Sequence, residues 1–173
     1  MRILIVKTGL PGDLLDALPA VHLLKTGLNT EIDWAVNDGC AALVACFDDV
    51  TDVIPLPPQS LFPNIGQFFS KVRKNRYDLV VDLDGGLRSA LIARFARSHK
   101  RIGPSFHRDF SYLFYDHIAA ERNHNRPAVD QNLDVLRFLE LPTEPVEFPV
   151  TLPSTDISDA AVSAAREILE QKK

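Results

Sequence analysis

A strand, a loop and a helix succeed one another in RILIVKTGLPGDLLDALPAVHLL, residues 2–24. The β-branched run RILIVK is typical of a short strand, and the turn formers of TGLPGD end it. The apolar residues that follow at helical spacing are Leu14, Leu15, Leu18, Val21 and Leu24. Because strand, loop and helix together form the repeating unit of α/β proteins, we predict that class of fold.

The same alternation continues along the chain. Strands are predicted at 31–36, 52–56, 78–83 and 100–103, and helices at 40–47, 65–72, 87–96, 110–115 and 129–139. The segment DLVVDL at 78–83 is nearly continuously apolar, which is typical of a central parallel strand covered by helices on both faces. We therefore expect a Rossmann-like, doubly wound, mainly parallel sheet with right-handed crossovers.

Residues 1–142 form the predicted domain, and the sequence changes character after them. The stretch TEPVEFPVTLPSTD is rich in proline and is expected to be extended. From Ser158 to Lys173 an alanine-rich pattern predicts a helix with one apolar face. We interpret residues 143–173 as a linker and a bracing helix.

The composition is that of a globular protein: 46% of the 173 residues are apolar and 24% are charged. A net charge of −4 gives no argument for binding nucleic acid. The segment from Lys71 to Arg108 nevertheless holds ten basic residues against three aspartates, a net charge of +7. Such a local excess favours contact with an anionic ligand.

Several other classes of protein receive no support from the sequence. No apolar stretch approaches the ~20 residues of a membrane helix, and no secretory signal is recognisable, so we expect a cytosolic protein. Cys40 and Cys46 lack metal-site and disulfide spacing and are predicted to be buried thiols. The five histidines have no metal-site spacing and there is no G-x-S-x-G motif, so neither a metal site nor a nucleophilic centre is predicted.

The loop TGLPGD is the first candidate site, because ligands of α/β sheets bind at the carboxyl ends of the strands. Gly9 and Gly12 allow the backbone to approach a ligand closely, and Asp13 stands at the head of the following helix. Asp13 has two interpretations. It is a helix cap, or it is a general base held beside the helix N–H groups.

The loop DLDGGLRS at 82–89 is the second candidate site. Asp82 and Asp84 either hold a divalent cation or cap the turn after the strand. Arg88, in the first turn of the next helix, either donates to a phosphate or carboxylate or is an ordinary surface arginine.

Several segments resemble the family 9 glycosyltransferases, the ADP-heptose lipopolysaccharide heptosyltransferases. They are RILIVKTGLPGDLLDALPAVHLLK, EIDWAVNDGCAALVACFDDVTDVIPL, RYDLVVDLDGGLRSALIARFA, RIG, LFYDHI and QNLDVLRFLELP, in the family's order. The resemblance implies a GT-B fold of two Rossmann-like domains, inversion at the anomeric carbon and no required metal or other cofactor. It covers the N-terminal, acceptor-binding half and its linker helix; the half that binds ADP-heptose is absent.

The resemblance also assigns roles to residues. Asp13 matches the catalytic aspartate that deprotonates the acceptor hydroxyl, and Thr8, Gly9 and Gly12 match the acceptor loop. Further substrate-binding positions are Gly85 at the strand end, Arg88, and Arg108 near an arginine that touches the anionic inner core. The implied acceptor is the anionic glycolipid Kdo-lipid A, reached at the cytoplasmic face of the inner membrane through peripheral contact. We expect the +7 segment to face this acceptor.

The chain departs from the family's pattern at two places. Asp84 replaces a common glutamine, and PAVDQN at 127–132 replaces HAVERN, so the acceptor contacts are expected to differ. Two other functions stay open. One is a non-catalytic α/β module that binds an anionic ligand or partner through Arg88, and the other is a metal-dependent transferase that uses Asp82 and Asp84.

Overall fold

A computed structural model describes residues 1–57, 65–122 and 125–151. Its strands are β1 (Arg2–Val6), β2 (Glu31–Asn37), β3 (Asp52–Leu56), β4 (Arg76–Tyr77), β5 (Leu79–Asp82), β6 (Arg97–Ser98), β7 (Arg101–Gly103) and β8 (His117–Ile118). Its α-helices are α1 (Pro11–Leu28), α2 (Ala41–Val44), α3 (Ile65–Lys74), α4 (Leu87–Phe95), α5 (Ala128–Asn132) and α6 (Asp134–Phe138). Short 3-10 segments cover Asp38–Cys40 and Ser111–Phe114.

Six strands form one parallel sheet in the order β3-β2-β1-β5-β7-β8, and β4 pairs with β6 in a separate two-stranded sheet. The doubly wound, parallel α/β fold expected from the sequence is confirmed. The order runs from β1 to β3 on one side and from β5 to β8 on the other. The carboxyl ends of β1 and β5 therefore flank the switch point, where ligands of such sheets bind.

Each face of the sheet is covered by its own set of helices. Ile3, Ile5 and Val81 share one buried cluster with α1, α6 and Val44 of α2. Leu4 and Val80 lie in the other buried cluster, with apolar residues of α3 and α4. This arrangement follows from strand geometry, because successive side chains point to opposite faces.

Some local predictions are wrong. The helix predicted at 129–139 is interrupted at Leu133, whose ψ of −9° separates α5 from α6. The aromatic helix predicted at 110–115 is a single 3-10 segment, and the helix predicted at 40–47 is shorter. Beside two of these breaks the buried residues Asp134 and Ser111 have tertiary partners that leucine spacing does not reveal. The predicted helix 158–173 lies outside the described residues.

The cysteine prediction also needs correction, because both thiols are only partly buried. Cys40 ends a 3-10 segment and packs against the rim of a core cluster. Cys46 lies two residues after the end of α2, and its Sγ is 3.3 Å from the Ala42 carbonyl oxygen. Among the described residues, no helix is both long and apolar enough to cross a bilayer.

The basic segment does not face the candidate loops as a whole, and that expectation is wrong. Because the helices return from the carboxyl edge of a parallel sheet to its amino edge, α3 and α4 both end at the amino edge. The basic residues at or beside that edge are Lys71, Arg73, Lys74, Arg76, Arg94, Arg97, Lys100 and Arg101. Only Arg88 and Arg108 follow the carboxyl ends of strands.

Candidate functional site

The loop after β1 fixes Asp13 in the first turn of α1. Leu10 is the residue before the helix, and its N–H donates to Asp13 Oδ2 at 2.9 Å. A Cβ atom on Gly9 would lie 2.5 Å from this same oxygen, so only glycine permits the approach. Gly12 has open space around it. Asp13 is exposed, and the positive end of the helix dipole favours a negative charge at its position.

The loop after β5 depends on Asp82, which is buried. Its Oδ1 accepts the N–H groups of Asp84 and Gly85 at 2.7 and 3.0 Å, and its Oδ2 accepts the Tyr115 hydroxyl at 2.7 Å. Burial raises the pKa of Asp82 to about 6, although these hydrogen bonds oppose the shift. Asp82 therefore caps the turn, as one of the two interpretations predicted.

Asp84 joins the two candidate loops. It accepts hydrogen bonds from both the N–H (3.0 Å) and the hydroxyl of Thr8, and Arg108 Nη2 lies 3.4 Å from its Oδ1. The Thr8 carbonyl accepts a bond from Asn37. All the polar groups of Thr8 are thus used inside the protein, where they hold the loop. Since Asp82 and Asp84 have separate partners, the geometry does not favour a shared cation.

Gly85 brings a third loop to the site. Its φ of +77° is a left-handed value, and a Cβ there would lie 2.9 Å from Pro104 Cγ. Its carbonyl accepts the Arg108 N–H and the Ser111 hydroxyl, both at 2.8 Å. Gly85 therefore acts through the backbone, because it positions Arg108 rather than facing a ligand.

Lys7, at the end of β1, is a buried cation in this cluster. Its ammonium donates to the Leu83 carbonyl at 2.5 Å and lies 5.4 Å from the centre of the Phe106 ring. Burial lowers the pKa of Lys7, and the carboxylates of Asp84 and Asp13 oppose that shift. The ammonium thus places a positive charge between the two loops.

These groups surround a cavity of about 390 Å³ at the carboxyl edge. Its walls are formed by Lys7, Gly9, Asp13, Asp84, Phe106, Arg108, Arg122, Ala128, Gln131 and Asn132. Of the residues predicted for the site, the cavity brings together Gly9, Asp13 and Arg108. Thr8, Gly12 and Gly85 do not line it, although Thr8 and Gly85 hold the loops through hydrogen bonds. Arg88 is exposed on α4 and does not line the cavity.

Another part of the cavity wall comes from α5, whose residues sequence reasoning noted only as departures from the family pattern. Asn132 is 2% exposed, its Nδ2 donates to the Asp16 carbonyl at 3.0 Å, and its Oδ1 has no partner within the described parts of the chain. Arg122 and Gln131 were missed as well. Because both residues lie far in sequence from the two candidate loops, no local pattern pointed to them. Lys7, by contrast, was detectable as the polar residue that ends β1.

An ion-pair network holds α5 and α6 in place. Asp134 is buried and binds Arg126, Arg137 and the hydroxyl of Ser105. Burial by itself would raise the pKa of Asp134, but the bonds from these donors lower it below its usual value. Arg126 and Arg137 also bind Asp130. The α5 wall of the cavity is therefore fixed by charge as well as by packing. Within the described ranges, no group of three or more possible metal ligands occurs.

Comparison with known proteins gives one consistent family. The model of glycosyltransferase family 9 (heptosyltransferase) matches residues 65–172. Lipopolysaccharide heptosyltransferase 1 of Pseudomonas aeruginosa is 32% identical over 105 residues, which cover 55% of this chain and 30% of that protein. Lipopolysaccharide heptosyltransferase 1 of Salmonella typhimurium is 31% identical over 139 residues, covering 71% and 44%. The chain thus spans less than half the length of either relative.

Solved structures agree with the sequence matches. The Escherichia coli heptosyltransferase WaaC with ADP superposes with a TM-score of 0.71 at 26% identity, over 94% of this chain and 52% of that one. A family 9 glycosyl transferase from Veillonella parvula gives a TM-score of 0.75 at 14% identity, over 99% and 49%. The sheet therefore has the architecture found in about half of a GT-B glycosyltransferase, and, since the family model covers more than half of the sequence, the chain belongs to glycosyltransferase family 9.

Proposed function

We propose that this chain is the N-terminal, acceptor-binding half of an inverting glycosyltransferase that moves heptose from ADP-heptose to the inner core of lipopolysaccharide, Kdo-lipid A. One observation carries the proposal. The Asp13 carboxylate and the guanidinium groups of Arg108 and Arg122 line one cavity at the switch point of the sheet. A hydroxyl-bearing, anionic acceptor fits this combination of a base and two cations.

In this reaction Asp13 acts as the general base. Its Oδ2 is held by the Leu10 N–H, and its Oδ1 is available to take the proton of an acceptor hydroxyl. The hydroxyl oxygen then bonds to the anomeric carbon of heptose while the bond from that carbon to the diphosphate breaks. The electron pair of the broken bond leaves with ADP, and attack from the opposite side inverts the configuration.

The cations bind and orient the acceptor. Arg108 is largely exposed; its Nη2 lies 3.4 Å from Asp84 and its Nε lies 3.9 Å from Asp109. Its Nη1 group has no such partner among the described residues and can donate to phosphate or carboxylate oxygens. Arg122 is exposed on the same cavity. The buried ammonium of Lys7 adds a positive charge behind Asp13 and Asp84. An anionic sugar acid or phosphate is therefore the expected acceptor group.

Residues 143–173 are assigned to a linker and bracing helix that lead to a donor-binding half, which binds most of ADP-heptose. The transfer needs no metal or other cofactor. Because the acceptor is a membrane glycolipid, the enzyme works at the cytoplasmic face of the inner membrane in peripheral contact with it.

The decisive experiment is Asp13→Asn in the two-domain enzyme, with this chain joined to a donor-binding half. Loss of the base should reduce kcat by at least about a hundredfold, while ADP affinity stays the same. Asp16→Asn is the matched control, since it removes a carboxylate from the next turn of α1 and should leave most of the turnover. An Asp13→Asn enzyme that turns over like the control would refute the assignment of the base.

A further inference from the structure

A second cavity lies at the amino edge of the sheet, away from Asp13. It has a volume of about 510 Å³ and is lined by Arg76, Tyr77, Asp78, Arg97, Ser98 and His99. The four residues of β5 separate this edge from the carboxyl edge. At a rise of ~3.3 Å per residue the two cavities are roughly 13 Å apart. The amino-edge cavity is thus a separate feature of the molecule.

Two arginines face each other at the mouth of this cavity. Arg76 of β4 is the register partner of Arg97 of β6, and Tyr77 is the partner of Ser98. Tyr77 is buried, and its hydroxyl donates to Asp33 at 2.9 Å. Because successive side chains of a strand point to opposite sides, Arg76 and Arg97 both point outward. Paired strands lie about 4.8 Å apart, so the two arginine side chains leave the backbone at neighbouring positions.

Neither guanidinium is neutralised by the protein. Arg76, Arg97 and the nearby His99 are exposed, and within the described ranges the side chains of all three make no hydrogen bond or ion pair. Like charges directly opposite each other on paired strands are unfavourable. The fold therefore keeps an uncompensated pair of positive groups at a position where a neutral residue would be more stable.

Most of the charged side chains around Arg76 and Arg97 are also positive. Lys71, Lys74 and Arg94 are exposed in the last turns of α3 and α4, which end at this edge. The one acidic residue that lines the cavity, Asp78, already accepts the Arg2 backbone N–H at 2.7 Å. The cavity therefore has a positive potential that its own aspartate only partly offsets.

We propose that the amino-edge cavity binds a phosphate group, with Arg76 and Arg97 as its two bidentate donors and His99 at its rim. A guanidinium presents N–H groups in a fork that matches two phosphate oxygens, and a phosphate has enough oxygens for two such forks. Binding removes the repulsion between the two arginines. The ligand is a soluble phosphate compound or the headgroup of an anionic lipid, and these two sources share the chemistry that the site recognises.

The test uses the whole chain and two probes. Inorganic pyrophosphate is titrated by calorimetry, and vesicles of phosphatidylcholine with about 30% phosphatidylglycerol are used in sedimentation, with pure phosphatidylcholine as the blank. Each of Arg76→Ser and Arg97→Ser should weaken binding of at least one probe about five- to tenfold. Arg94→Ser is the matched control, because it removes an exposed charge from the same edge without touching the cavity.

Every result of these titrations either supports or contradicts a phosphate site at the amino edge. Pyrophosphate binding that depends on both arginines identifies a soluble phosphate ligand, and vesicle binding alone with that dependence identifies a headgroup. The proposal is overturned if neither probe binds, if the double variant binds as well as the parent chain, or if Arg94→Ser weakens binding equally. Thermal unfolding by circular dichroism checks the fold of each variant, and Arg76→Lys and Arg97→Lys test whether the guanidinium fork or only its charge is needed.

Discussion

The two edges of the sheet each bury an aspartate, but with different partners. At the carboxyl edge, Asp82 accepts hydrogen bonds from two backbone N–H groups and the Tyr115 hydroxyl, and no cation contacts it within the described ranges. At the amino edge, Asp33 binds the Arg2 guanidinium through two hydrogen bonds of 2.9 and 3.0 Å and also accepts the Tyr77 hydroxyl. One carboxylate shapes a loop, whereas the other neutralises a charge.

This difference explains how the surface charges are used. At the carboxyl edge the neighbouring ions Lys7 and Asp84 are held by bonds within the protein, so the loops that carry Asp13 are rigid. At the amino edge Asp33 and Asp78 both accept hydrogen bonds from within the protein, whereas Arg76 and Arg97 remain exposed beside them. A rigid site suits chemistry, while an unpaired basic surface suits reversible binding of an anion.

The largest effect is expected for Asp33→Asn. The substitution removes the buried anion of the partly buried Arg2 guanidinium, which keeps only the exposed Glu31 at 3.1 Å. It also places an amide N–H₂ toward groups that donate to the carboxylate. Because breaking a buried ion pair from one side is costly, the free energy of unfolding should fall by about 3–4 kcal/mol. Urea unfolding at pH 7 measures this loss. Asp33→Glu is the control because it keeps the negative charge. If Asp33→Asn lost less stability than Asp33→Glu, Arg2 would not need the charge of its partner.

The corresponding change at the other edge, Asp82→Asn, should have the opposite sign. The pKa of Asp82 is raised to about 6 in the folded protein, so the folded state binds the proton more tightly than the unfolded chain. This contribution is fully favourable below the unfolded pKa and is lost as the pH rises through about 6. By neutral pH the loss amounts to about 2–3 kcal/mol.

The Asp82→Asn variant mimics the protonated acid and should not show that loss. Relative to the parent chain, its free energy of unfolding should rise by about 2–3 kcal/mol between pH 4 and pH 7. Urea unfolding at both pH values gives the comparison, with Asp52→Asn as a control at an exposed carboxylate. A constant difference between variant and parent across this range would contradict the raised pKa.

Gly85→Ala tests whether the carboxyl edge depends on backbone geometry. A Cβ there is disfavoured by the φ of +77° and by Pro104 Cγ at 2.9 Å. The variant should lose about 2 kcal/mol of stability. Gly12→Ala is the control, since nothing lies within 4 Å of its added Cβ and alanine within a helix should add about 0.5–1 kcal/mol. Equal effects at the two glycines would show that the third loop tolerates the change.

The sequence predicts the parts of the fold that local patterns determine. The strands β1, β2, β3 and β5 are apolar runs bounded by turn formers, and they were predicted within a residue or two. The strands β4, β6 and β8 have two residues each, which is too short for any periodicity. They form because the chain enters or leaves the sheet beside another segment, which is a tertiary effect.

The candidate site is predictable to a similar extent. Asp13 was found because a carboxylate between a strand and a helix has few possible positions, and the cavity includes it. Arg122, Gln131 and Asn132 follow Asp13 by more than a hundred residues in sequence, so only the fold reveals that they share its cavity. The expectation that the basic segment faces the candidate loops was wrong, because a count of charges ignores which end of a helix carries them.

The smallest effect is expected for Arg97→Thr at the amino edge. The change removes the repulsion with Arg76 and places a β-branched residue on a strand, so stability should rise by about 0.2–1 kcal/mol at low salt. In about 1 M salt the Debye length shortens to roughly 3 Å, and the gain should shrink to what strand propensity alone contributes. Thermal unfolding at both salt concentrations separates the two contributions. Pyrophosphate should stabilise the parent chain but not this variant, so a gain that is independent of salt, or an equal response to pyrophosphate, would show that the two arginines do not share one anion.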